Sequence, residues 1–69
     1  MILEIEEGVT YYSPSGLPFK VIRKGVHYAL DCSVHMVVFT NLTPTHDKPT
    51  GREWVLDEKL FMKIYRETP

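Results

Sequence analysis

Val34-His35-Met36-Val37-Val38-Phe39-Thr40-Asn41-Leu42 is the longest run of β-branched and aromatic residues in the chain. Side chains alternate between the two faces of a strand, so four apolar residues in succession, positions 36–39, put bulk on both faces. That pattern suits a strand covered on both sides, or a central strand with one sticky face. A buried helix can also show a short apolar run. Here Val37, Val38, Phe39 and Thr40 favour the pleat, and helix-forming Ala, Glu and Lys are missing from the stretch.

Shorter extended segments lie on either side of this strand. At the start, Met1, Leu3 and Ile5 alternate with Ile2, Glu4 and Glu6, which predicts a half-buried strand ending at Glu6-Glu7-Gly8. Residues 9–12 favour β structure, and Ser13-Pro14-Ser15-Gly16 supplies a turn. Phe19-Lys20-Val21-Ile22-Arg23 sets Phe19 and Val21 on one face, with Lys20 and Ile22 on the other, and Gly25 is expected to bend the strand. Residues 26–30 resume it, and Asp31-Cys32-Ser33 connects to the central run, so these two strands should pair antiparallel.

Thr43-Pro44-Thr45-His46-Asp47-Lys48-Pro49-Thr50-Gly51 has two prolines, a glycine and no apolar period, and is read as a loop. Glu53-Trp54-Val55-Leu56 returns as a strand with Trp54 and Leu56 on one face. The tail fits two periods. Leu60, Phe61, Ile64 and Tyr65 recur at helical spacing with Asp57 as a cap, whereas a period of two gives one helical turn at residues 57–60 and then a short last strand. We take the second. The expected fold is all-β: a small antiparallel barrel of about five or six short strands that hides its own edges, with a single helical turn near the C-terminus.

The chain of 69 residues makes one domain, with 43% hydrophobic and 25% charged residues, an ordinary globular composition. A chain this short buries only about 60% of the surface its unfolded form exposes, so its core is thin and self-association would support it. Eight basic against nine acidic residues leave a formal charge of -1, which gives no overall field to recruit phosphate backbones. A single cysteine excludes an internal disulfide and fits a reducing compartment. Acidic residues near the start, and no apolar run near the roughly 18 residues of a membrane span, point to a cytoplasmic protein. Asn41-Leu42-Thr43 matches a glycosylation acceptor, which carries no meaning without secretion.

Gly8, Tyr11 and Gly16, then Lys20-Val21-Ile22, Met36-Val37-Val38-Phe39, and Trp54-Val55 followed by Leu60-Phe61, form a series that resembles the small bacterial and phage proteins grouped as domain of unknown function 1653. The likeness spans roughly residues 8–61, and Trp54-Val55 with Leu60-Phe61 is its most specific part. Leu56-Asp57 stands where that family has Arg-Pro, so no role of that arginine carries over. The resemblance implies a compact barrel of the Src-homology-3-like kind and no particular activity.

Among candidate chemistries, Cys32-x-x-His35 has the short spacing found within zinc sites. A second close pair is absent, and His27, His46 and Asp47 would have to come from elsewhere, so no metal or other cofactor is expected. Cys32, His27 and Asp31 sketch a thiol nucleophile with its base, but nothing in their spacing joins them. So small a chain has little room for a water-excluding pocket, and neither an enzyme nor a small-molecule substrate is expected. Tyr11, Tyr12, Tyr28, Phe19 and Phe39 interleave with Lys20, Arg23 and Lys24, a mixture that barrels use to stack single-stranded bases. Glu4, Glu6 and Glu7 count against nucleic acid, which is kept as the alternative. The leading expectation is protein recognition or self-association through Tyr11, Tyr12, Lys20, Arg23, Tyr28 and His46, with Trp54 and Phe61 assigned to the core.

Overall fold

The computed structural model describes residues 2–29, 32–44 and 49–69. Strands β1 (Thr10–Tyr12), β2 (Pro18–Ala29), β3 (Cys32–Asn41) and β4 (Glu53–Asp57) precede one helix, α1 (Glu58–Ile64). The strands form one open antiparallel sheet in the order β1-β2-β3-β4, with the apolar run at its centre as β3. Among the described residues the sheet has four strands and does not close, where a barrel of five or six was expected. Two segments account for the difference.

The first is the N-terminal segment. Residues 2–8 form no strand, because Ile2 and Ile5, three positions apart, enter the core while Leu3 is 82% exposed. Side chains hold this segment where a neighbouring strand would: the Tyr11 hydroxyl accepts from the Glu6 N–H at 3.0 Å, and Lys24 Nζ donates to the Ile5 carbonyl at 2.9 Å. The second is the tail. Helical spacing prevails over the preferred single turn, giving seven residues of helix capped by Asp57, whose carboxylate accepts from the Leu60 N–H at 3.0 Å. The chain then returns to β1 through one bridge, in which Tyr12 and Arg66 exchange main-chain hydrogen bonds of 2.7 and 2.8 Å.

The Ser13-Pro14-Ser15-Gly16 turn forms as expected. The Gly16 N–H bonds the Ser13 carbonyl at 2.8 Å and Gly16 takes φ +87°, the left-handed position of a three-residue hairpin loop. The irregularity in β2 falls at Ile22, not at Gly25. Register slips between Val21 and Arg23, so Ile22 and Arg23 together oppose Val38, while Gly25 pairs regularly with Met36. Cys32 and Ser33, expected in a connection, already pair with Ala29 and Tyr28.

Alternation along β3 sends Val37 and Phe39 inward, with Phe19 and Val21 of β2 beside them and Tyr11 of β1 on the same face. Ile2, Ile5 and Phe61 complete the core from the opposite side, and Trp54, Leu56 and Tyr65 pack against its margin. Trp54 and Leu56 share a face as expected, and Phe61 is fully buried. Aromatic rings make much of this interior: Phe39 meets Phe19, Trp54, Phe61 and Tyr65 at centroid distances between 5.0 and 6.1 Å. No helix among the described residues is long and apolar enough to cross a membrane.

Candidate interaction surfaces

An edge strand exposes a row of unpaired main-chain groups, and folded proteins usually cover or blunt it. Three stretches of edge are blunted here. The outer side of β1 receives Arg66, whose guanidinium also donates to the Pro14 carbonyl at 2.7 Å. β4 is only five residues long and carries Glu53 and Asp57 at its ends. The first part of β2 is covered by β1, by main-chain bonds in which the Gly8 N–H donates to the Val21 carbonyl and the Val21 N–H donates to the Val9 carbonyl, and by the Glu7 carboxylate, which accepts from the Lys24 N–H at 2.9 Å.

Beyond Lys24 the edge of β2 has no main-chain partner among the described residues. Because the Lys24 N–H points away from β3, those of Val26 and Tyr28 do so too, two and four positions on. With residues 32–35 of β3, residues 26–29 of β2 form a two-stranded ribbon that neither β1 nor β4 flanks, in a molecule measuring 37 × 25 × 18 Å. Residues 25–29 contain no proline and no permanent charge. Val26 is 42% and Tyr28 78% exposed, both on the side of the sheet that carries the core. A bare two-stranded ribbon is marginal in water, so added contacts on it are favourable.

The residues picked from the sequence do not form one patch. Tyr11 is buried, its ring edge-on to Phe61 at 5.7 Å and its hydroxyl holding the N-terminal segment, so it belongs to the core and is no surface contact. Tyr12 is half-buried beside the Arg66 bridge. Lys20 and Arg23 are exposed on the outward face, where Arg23 reaches Glu53 at 3.5 Å across β3. Tyr28 lies on the opposite face from these cations. His46 lies outside the described residues. Sequence reasoning allowed for a free edge beside the central strand but did not place it at Val26, because exposure of an edge depends on how far β1 reaches.

Asn41 was also missed. It is 1% exposed, its amide donates to the Thr43 and Pro49 carbonyls, and its oxygen accepts from the Arg52 N–H, at 2.9 to 3.0 Å. These bonds clamp the two ends of the long loop together, and they occupy the nitrogen that the glycosylation pattern would modify.

Where the ribbon leaves the sheet, Ser33, Val34, His35, Asp57, Glu58 and Lys59 line an open groove of about 250 Å³. No hydrogen bond among the described residues joins Ser33, His35, Asp57 or Glu58 to one another, and the Asp57 carboxylate is engaged in capping α1. His27 faces outward and His35 toward the core side. Among the described residues no three His, Cys, Asp or Glu side chains converge on a point. The side chain of Cys32, together with Asp31, His46 and Asp47, lies outside that description. No family model, no curated protein and no solved structure matches this chain.

Proposed function

We propose that the protein is a non-catalytic recognition module, which takes an extended segment of a protein partner alongside the uncovered edge of β2. The uncovered edge carries this reading: among the described residues the strand continues past its last neighbour with free main-chain groups at Val26 and Tyr28, while the outer side of β1 is capped, β4 is short and charged, and the first part of β2 is covered. In strand addition, main-chain bonds supply affinity and alternate side chains supply specificity. Val26 and Tyr28 stand where those side-chain contacts fall, and Tyr28 is of the residue type enriched at binding hot spots. The return of Arg66 to the outer side of β1 supports a relationship to barrels of the Src-homology-3-like kind, and the resemblance to the family of unknown function 1653 accords with it.

Protein is favoured over single-stranded nucleic acid because the aromatic and basic residues are divided. Tyr11 is in the core, Arg23 is engaged by Glu53, Tyr28 faces away from Lys20, and Lys24, which shares the face of Tyr28, gives its Nζ to the Ile5 carbonyl. A stacking surface needs rings and cations on one face. The test is affinity capture from a lysate of the cells that express the protein, using the full chain and the exposed-edge variants Val26→Lys and Tyr28→Ala. A partner recovered in stoichiometric amount by the parent, protecting the Val26 and Tyr28 amides from hydrogen exchange and lost with Val26→Lys, is expected. Equal recovery with every variant puts the contact elsewhere. Tight binding to single-stranded DNA or RNA that falls steeply with salt replaces the proposal.

A further inference from the structure

The outward face of the sheet is bare of any covering element among the described residues. Strand register lays its side chains in rows: Lys20, Thr40 and Glu53 form one, and Arg23, Val38 and Val55 the next. Met36 and then Val34 continue the β3 column toward the ribbon, each only partly buried, and Val55 beside Val38 is 60% exposed. Ile22 of the bulge opposes Val38 as well. An apolar column therefore runs down the middle of this face, with the cations Lys20 and Arg23 on its β2 flank and the acid Glu53 on its β4 flank.

We propose that this outward face joins two copies of the chain, sheet against sheet, about a twofold axis parallel to the strands. The inference goes beyond the strand-addition reading and does not rest on it, since the two surfaces lie on different sides of the molecule. Such an axis exchanges left and right across the face and preserves the level along each strand. β3 then lies over its own copy, so Val34, Met36 and Val38 meet their equivalents and are removed from water. β2 lies over β4 of the second copy, and Lys20 comes opposite that copy's Glu53 on both flanks, because the two residues share a row. Lys20 has no acidic partner of its own among the described residues, and Glu53 meets only Arg23, through Oε1. An axis across the strands would set β2 over β2 and place cation on cation. The charge arrangement therefore selects both the occupant and its orientation. Packed sheets sit about 10 Å apart, within reach of a lysine side chain extended toward a carboxylate.

Sedimentation velocity and light scattering on the full chain test this. The parent is expected to dimerise with rising concentration. Lys20→Glu, which sets acid against acid, is expected to weaken the dimer by about tenfold or more, and combining it with Glu53→Lys to restore most of the loss. Val55→Lys, which sets a cation opposite Arg23 of the second copy in the same row, is expected to abolish the dimer, and Tyr28→Ala, on the other face, to leave it unchanged. All four positions are exposed, so unchanged circular dichroism and melting are expected to separate loss of contact from loss of fold. A chain that stays monomeric at millimolar concentration overturns the proposal. So does a dimer indifferent to Lys20→Glu and Val55→Lys but broken by Tyr28→Ala.

Discussion

Phe61 and Tyr65 stack face to face, their ring centroids 4.2 Å apart and their planes 8° from parallel. They stand four positions apart, on one side of the last helical turn and its exit, and both rings meet Phe39 of the central strand. The stack fastens α1 to the sheet. Phe61→Ala removes its fully buried member and should destabilise the protein by about 3 to 5 kcal/mol, enough to unfold much of so small a domain. Urea unfolding measures this, and a loss under about 1 kcal/mol would show that α1 contributes little to stability.

The same stack has a pH consequence. Burial raises the Tyr65 pKa above its ordinary value, because the phenolate loses its hydration there. A raised folded-state value leaves stability intact below the unfolded-state value of about 10, then removes it as pH rises through the folded-state value. Thermal melting points should therefore fall on the alkaline side of pH ~10, and less steeply in Tyr65→Phe, which has no proton to lose. Parallel declines in parent and variant would assign the alkaline loss to other groups.

Asn41 offers a test by isostere. Asn41→Asp keeps the shape and the acceptor for the Arg52 N–H but turns two donated hydrogen bonds into contacts between a carboxylate and carbonyl oxygens. Leaving buried polar groups unsatisfied costs about 1 to 3 kcal/mol each, more where charge is involved. The variant should lose at least that much near neutral pH, and recover part of it in acid as the carboxyl protonates. A variant as stable as the parent at pH 7 would show that the loop ends close without this clamp.

Asp57 stands between β4 and α1 with its carboxylate on the Leu60 N–H. Asp57→Ala should cost about 1 kcal/mol, and Asp57→Ser should recover most of it, since a hydroxyl accepts the same bond. Urea midpoints for the three proteins decide the matter. Equal loss in both variants would point to the charge rather than the cap.

The bare edge makes a different demand. Tyr28 lies mostly in water and Val26 is 42% exposed at a strand edge, so Val26→Lys and Tyr28→Ala should each shift folding stability by no more than about 0.5 kcal/mol. Within β2, hydrogen exchange of the isolated chain should be fastest at the Val26 and Tyr28 amides, which point outward and have no acceptor among the described residues. Protection there equal to that of residues 18–21 would mean that something already covers the edge.

Local chemistry was enough to identify the central strand, the Ser13–Gly16 turn, the shared face of Phe19 and Val21, and that of Trp54 and Leu56. Each depends on neighbours a few positions away, through alternation, a positive φ or one side-chain bond. The N-terminal segment and the tail were not decided at that range. Met1, Leu3 and Ile5 alternate like a strand, yet Ile2 and Ile5 are the residues that the core admits, and helical spacing in the tail prevails because Phe61 and Tyr65 then reach Phe39 together.

Sequence alone determined that this is a mostly β chain built on an extended apolar middle, since alternation and β-branching act between adjacent residues. Only the tertiary structure decided which surfaces stay open: that Tyr11 is interior, that β1 stops short of Val26 and Tyr28, and that Lys20 and Glu53 flank a bare apolar column. Exposure is a property of what lies alongside in space, and elements distant along the chain supply it.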